Sequence, residues 1–394
     1  MNADNTMEQD RWEPWREWFS LNFFTTLQGI GAATWWKQLR LNHFRIGLKH
    51  AARAALISIS SPVNSSFAKK DASAFGPQIE QTPIIPPVFL LGHWRSGTTL
   101  LQRYFAMDDR FSYPNFYQCV FPRGFLHSQD KNMKRWAGML PKTRIFDQMD
   151  NDFASPAEDE FALCSLTGYS PYMGWSFPQN WDHYYRYLTF RSAPPDELAE
   201  WKNALRYFTQ KIQFHTGKQV VLKSPPHTCR IKLLLDLFPG AKFVHIRRHP
   251  LAVFPSTKKM LATFLRSTQL QSYDPRTLDD KIVHVYREVY DTYFEELALI
   301  PEGDFCDIAY EDLERTPLSA LREIYTKLAL PDFAVVEPTI EAYVQSLASY
   351  RKNQFRALPA DLVERLAREW QPSFDHWGYS ATNTQPTEAT SPSS

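Results

Sequence analysis

The chain has 394 residues, with 44 Lys+Arg against 43 Asp+Glu and a formal net charge of +1. Apolar residues make up 43% and aromatic residues 15%, which suits a large buried core and excludes a disordered, collagen-like or multi-span membrane chain. The charge balance excludes generic polyanion binding, so no nucleic-acid partner is expected.

In chain order, residues 1–17 carry five acids and two bases, whereas residues 18–70 carry seven bases (Lys37, Arg40, Arg45, Lys49, Arg53, Lys69, Lys70) and no acid. The uncharged run 18–36 contains too many Ser, Thr, Asn and Gln residues for a spanning helix, which needs about 20 mostly apolar positions. From Trp35 to Ile59 the spacing predicts one helix. It places Leu41, Phe44, Leu48 and Ala52 on one face, with Arg45, Lys49 and Arg53 as a cationic stripe on the other. Two readings stay open for this block. One is a solvated face of a helix packed on the main domain; the other is peripheral membrane contact with anionic lipid through residues 18–70. Residues 60–83, rich in Ser, Ala, Pro and Gln, read as a linker. The expected organisation is thus an N-terminal helical arm and linker over 1–83, a main domain over 84–380 and a disordered tail over 381–394.

Apolar runs and helical patterns then alternate. Strands are expected at 87–91, 219–222, 242–246 and 304–309. Helices are expected at 98–107, 196–216, 279–299, 317–329, 337–348 and 359–370. Another helix follows Pro250, its start made irregular or delayed by Pro255. This pattern predicts an α/β fold, a P-loop-type parallel sheet flanked by helices, with the N-terminal helical extension. The four cysteines have no metal-ligand spacing and no apolar leader opens the chain. A reducing compartment and a cytoplasmic, membrane-associated or free, location are expected.

Gly92-His-Trp-Arg-Ser-Gly97-Thr98-Thr99 lies between an expected strand and helix and fits G-x-x-x-x-G, the frame of a phosphate-binding loop. Thr98 stands where a nucleotide-triphosphate loop carries Lys, and the cation has moved to Arg95. Two further strand ends carry Lys223 and the Arg247-Arg248 pair, with no carboxylate there to hold Mg²⁺. Ligands of open parallel sheets bind outside the carboxyl ends of strands, so these cations imply a small polyanion held without a metal.

These residues resemble the sulfotransferases that use 3′-phosphoadenosine 5′-phosphosulfate (PAPS), and most closely a bacterial branch of that P-loop superfamily. Arg95-Ser96-Gly97-Thr98-Thr99, with Leu100 after it, is similar to the family's 5′-phosphosulfate loop. Arg248 and Ser256, eight residues apart, match the Arg and Ser that hold the 3′-phosphate. Tyr310-Glu-Asp-Leu313 resembles the segment near the adenine, and Lys352 stands for the family's adenine-side Lys. Lys223-Ser224 resembles the Lys-Thr/Ser that helps the departing phosphate. The resemblance covers about residues 84–380 and implies PAPS as co-substrate with no metal required.

Sulfuryl transfer needs cations on the leaving oxygen and a base for the acceptor proton. Arg95 and Lys223 suit the first role. For the base, His227, close to the same strand end, is favoured over Glu158 and Glu160, with His93 as a third source. Ser155 and Glu158 also fit a capping box. The aromatic density from Tyr169 to Phe190 suits an apolar or lipid-like acceptor carrying a hydroxyl or amine. The expected activity is PAPS-dependent sulfotransfer; the alternatives are a P-loop nucleotide kinase and a non-catalytic nucleotide-binding module.

Overall fold

The computed structural model describes residues 27–136, 152–346 and 357–381. Residues 1–26, the Arg351-Lys352-Asn353 segment and the tail from 382 lie outside the described residues.

The chain enters through α1 (Ala32–Leu41) and α2 (Ala51–Gln81). The single helix expected from Trp35 to Ile59 is broken. His43 and Phe44 take left-handed φ values of 52° and 55°. The break is held from both sides, by the Asn42 side chain on the Gln38 carbonyl and the Tyr184 hydroxyl and by the Gly47 N–H on the Leu270 carbonyl. The cationic stripe is broken with it, because Arg53 is buried and donates to the Gln269 carbonyl at 2.7 Å.

The expected linker over 60–83 is also corrected, since α2 runs through it to Gln81. Pro62 has no N–H for the Ser58 carbonyl one turn back. The Ser61 hydroxyl donates to that carbonyl instead, at 3.2 Å. Ser58 and Ser65 likewise bond carbonyls four residues back. Asp71 fixes the far half of the helix through a buried ion pair with Lys211 at 2.8 Å.

Continuous apolar runs become buried strands of a parallel sheet. In chain order come β1 (Val88–Leu91), α3 (Thr98–Phe105), β2 (Phe111–Ser112), α4 (Phe125–Trp136), α5 (Asp159–Thr167) and α6 (Pro195–Thr216). They are followed by β3 (Gln219–Lys223), β4 (Lys242–Arg247), α7 (Pro250–Thr268), α8 (Leu278–Glu296), β5 (Phe305–Ala309) and α9 (Tyr310–Arg315). The two-residue β2 was not anticipated. Helix α7 starts at Pro250 with His249 as N-cap, so Pro255 neither delays nor displaces the start.

The strand order is β2-β3-β1-β4-β5, with every pairing parallel. In register, Phe89 lies beside Leu222 and Phe243 on one face, while Val88 and Leu90 join Val221, Val244 and Ile246 on the other. Both faces are covered by helices, and the arm's Trp35 and Ile57 belong to the larger of the two core clusters. Because β1, β3 and β4 run the same way, their carboxyl ends deliver Gly92, Lys223 and Arg247 to one edge. Among the described residues no helix is long and apolar enough to cross a membrane.

Candidate functional site

At the end of β1 the backbone turns through Gly92 (φ 143°) and Gly97 (φ 108°). Side chains are excluded at both places: a Cβ on Gly92 would sit 2.7 Å from the Ile246 carbonyl oxygen, and one on Gly97 would sit 2.4 Å from the Tyr310 ring. Thr228 Oγ1 receives the Gly92 N–H at 2.8 Å and anchors the loop. The N–H groups of the first turn of α3 have no carbonyl one turn back to bond. Gly97, the N-cap, offers them no side-chain acceptor. The Ser96 hydroxyl is buried within the loop without a hydrogen-bond partner. These donors and the helix dipole make a cradle for an anion.

Three predicted cations converge on this cradle. Arg95 Nε donates to Ser256 Oγ at 2.9 Å, and Arg248 donates to the Arg95 carbonyl at 3.1 Å. The Arg248 guanidinium lies 4.2 Å from the centre of the Tyr310 ring. Arg95, Arg248, Ser256 and Tyr310 thus form one cluster. Lys223 is 3.5 Å from Thr99 Oγ1 on the other side of the loop. Arg247 is turned away and pairs with Asp307, which also bonds His245 at 2.7 Å. Asp307 is thereby occupied by its two partners. Among the described residues no group of three or more His, Cys, Asp or Glu side chains could hold a metal ion.

A carboxylate does reach the strand ends, from a distant part of the chain. Lys223 Nζ donates to Glu158 Oε1 at 2.8 Å. The other Glu158 oxygen accepts from the Tyr172 hydroxyl, and Tyr172 in turn accepts from Trp94 Nε1 at 3.2 Å. Trp94 is part of the loop, so the chain of contacts closes on itself. Burial, then the Glu158 charge and hydrogen bond, push the Tyr172 hydroxyl well above the ordinary tyrosine range, so it remains a donor. Sequence reasoning placed Tyr172 only in an aromatic run. Nothing in the spacing pointed to its partner.

The three carboxylates opening α5 separate in space. Glu158 is the N-cap and makes no side-chain capping bond, so Ser155 and Glu158 do not form the capping box. Asp159 accepts from His227 Nε2 at 2.6 Å and from the Ser224 hydroxyl at 2.9 Å. Burial pushes the Asp159 carboxyl up, but the His227 charge and these hydrogen bonds outweigh it and hold the carboxyl below the usual range. Glu160 takes both guanidinium branches of Arg230, at 2.7 and 3.2 Å, and also accepts from Ser170. His227, Asp159, Glu160 and Arg230 have no solvent exposure, whereas the Glu158 side chain is 17% exposed. His93 is buried against Tyr286. Burial, only partly offset by the bond to the Trp94 carbonyl, pushes it down to about 4.

The nine rings expected to line an acceptor pocket are all buried. Most knit the core: Tyr184 bonds Asn42 and Gln38, and Tyr187 bonds Glu197. Tyr172 faces Glu158 and stacks on Trp175, ring centres 4.0 Å apart; Trp175 continues to Phe264. Trp181, with Pro178, Leu265 and Leu278, lines a cavity of about 230 Å³.

Comparison with known proteins follows the same lines. A family model described as "Sulfotransferase family" matches residues 86–334. The chain is 34% identical over 378 residues to the omega-hydroxy-beta-dihydromenaquinone-9 sulfotransferase Stf3 of Mycobacterium bovis, covering 94% of this chain and 95% of that protein. The Mycobacterium tuberculosis protein of the same name matches equally. Among solved structures, the fold is similar to sulfotransferase STF9 from Mycobacterium avium, with TM-score 0.65, 19% identity, and 91% and 95% of the two chains covered. It is also similar to STF1 from Mycobacterium tuberculosis, with TM-score 0.57, 16% identity and 85% and 86% covered.

Proposed function

Because the chain belongs to the sulfotransferase family, we propose that it moves a sulfuryl group from PAPS to the hydroxyl of an apolar, lipid-like acceptor. The observation that carries this reading is the meeting of Lys223 and Glu158, 2.8 Å apart, at the mouth of the anion loop. A cation for the leaving oxygen and a base for the incoming one stand side by side.

In this reading the loop from Arg95 to Leu100 cradles the 5′-phosphosulfate. Arg248 and Ser256 hold the 3′-phosphate and Tyr310 packs against the adenine. Lys352 is assigned to the adenine side by resemblance alone, since it lies outside the described residues. Glu158 takes the proton of the acceptor O–H as its oxygen bonds sulfur. The bond from sulfur to the bridging oxygen breaks, and Arg95 and Lys223 stabilise the charge that collects there. The products are a sulfate ester and 3′-phosphoadenosine 5′-phosphate. Buried His227 and Glu160 are assigned to holding the start of α5 against the segment that follows β3, through Asp159 and Arg230, not to contact with the acceptor. The acceptor class draws support from the relative named for a hydroxylated dihydromenaquinone.

Labelled PAPS incubated with the protein and a detergent-dispersed ω-hydroxylated isoprenoid quinone tests this. Label is expected in the lipid extract with wild type and is lost with Arg248→Ala. Tight binding of 3′-phosphoadenosine 5′-phosphate without transfer to any acceptor offered would leave the non-catalytic reading standing.

A further inference from the structure

Exposed large apolar side chains are unevenly placed. Among the described residues, five of the eight (Trp36, Phe44, Leu48, Ile59 and Val63) fall between positions 36 and 63. Such clustering marks a contact surface, whereas scattered exposed apolar residues do not. The break between α1 and α2 creates part of it. Left-handed φ at His43 and Phe44 turns the chain so that the Phe44 ring meets Trp36 edge-on, centroids 5.3 Å apart. Leu48, beyond the break, is 95% exposed. Along α2 the patch continues at helical spacing through exposed Ala52, Ala55, Ile59 and Val63, with Ser58 also exposed among them. The opposite side of the helix buries Ile57, Asn64 and Asp71.

Among the described residues from α1 to Lys70, the exposed charges have one sign. Arg40, Arg45 and Lys49 are exposed at one end, and Lys69 and Lys70 at the other. The first acid after them, Asp71, is 1% exposed, paired with Lys211 and hydrogen-bonded to His127. An apolar, aromatic-bearing stripe flanked along its own two helices by cations is the composition of a helix lying in the interface of an anionic bilayer. We propose that α1, α2 and the turn between them form a docking surface for anionic lipid. Trp36, Phe44, Leu48 and Ile59 enter the headgroup boundary while Arg45 and Lys49 meet phosphates. The surface is tied to the interior by Gln271, which donates to the Arg45 carbonyl at 3.0 Å and accepts from the Gln179 N–H at 3.2 Å. Gln179 and Ser272 belong to the wall of the 230 Å³ cavity beside Trp181.

Co-sedimentation of the full chain with phosphatidylcholine vesicles, with and without phosphatidylglycerol, tests the proposal without any turnover. It therefore stands apart from the sulfuryl-transfer reading. Wild type is expected on the anionic vesicles only, and less of it as salt rises. Leu48→Asp with Ile59→Asp, and separately Arg45→Glu with Lys49→Glu, should each lower the bound fraction constant by about tenfold or more. Thermal melting verifies that both remain folded. Failure of wild type to sediment, equal binding to neutral vesicles, or unchanged binding of either variant would overturn the proposal. A vesicle-free dimer that Leu48→Asp converts to monomer would overturn it too, by making the patch a self-interface.

Discussion

Glu158, Asp159 and Glu160 are consecutive carboxylates with three different partners. At the start of a helix, successive side chains point about 100° apart. One therefore meets Lys223, the next His227 and the third Arg230. The sequence shows three acids in a row but not the phase of the helix, so it could nominate the cluster and not the member. Lys223 lies 65 positions from Glu158, a pairing no local pattern encodes. The loop cations were legible because glycine spacing and strand ends are local signals. We expect Glu158→Gln to lower kcat by about 10²–10⁴-fold while calorimetric affinity for 3′-phosphoadenosine 5′-phosphate is not weakened, since the competitor for Lys223 is removed. By contrast, Arg95→Ala and Arg248→Ala should each weaken that affinity by more than about tenfold, from the charged hydrogen bonds lost. His93 supplies a pH dependence. Burial holds its folded value near 4 against 6.5 when unfolded. Unfolded chains take up a proton between those values and folded ones do not. His93 therefore contributes stability that is fully present above pH 6.5 and falls away as pH drops toward 4, by up to roughly 3 kcal/mol. Urea denaturation across that window should show this loss, and His93→Phe should flatten it.

Strands and helices differed in how well their residues announced them. Fully buried parallel strands read as unbroken apolar runs, so β1, β3, β4 and β5 stood out. The two-residue β2 is too short to carry a pattern. Helix α2 was misread because Ser and Pro are poor interior helix formers in isolation. Its stability comes from tertiary contacts: buried Ile57 and Ile79, hydroxyls bonding carbonyls one turn back, and the Asp71–Lys211 pair. Burial pulls the Lys211 ammonium down, and the Asp71 charge and hydrogen bond work against that pull. Asp71→Ala should destabilise the fold by about 3–5 kcal/mol because a buried cation is left unpaired. Asp71→Leu combined with Lys211→Met should recover much of that loss in denaturant titrations.

As a whole, the molecule is less divisible than its sequence suggests. A composition shift near residue 83 reads as the edge of a domain, yet Leu27, Ile30, Trp35 and Ile57 share one core cluster with β1 and α6 side chains. A chain begun at residue 84 should therefore be recovered mainly as aggregate, whereas an independent domain would give a sharp melting transition. The sheet and loop are stated plainly by the sequence; the way the arm completes the core depends on contacts between residues more than a hundred positions apart, such as Trp35 with Phe177.

The pairing of Lys223 with Glu158 also has a consequence in time. While nothing else is bound, Lys223 and Glu158 satisfy each other across 2.8 Å. If the proposed roles hold, an incoming dianion competes for the lysine and thereby frees the carboxylate for the acceptor. Turnover should accordingly run in a compulsory order, nucleotide first. Initial-rate patterns with a dead-end nucleotide competitor would show this, and a random-order pattern would contradict it. On the proposed roles, the two groups hold each other until the nucleotide separates them.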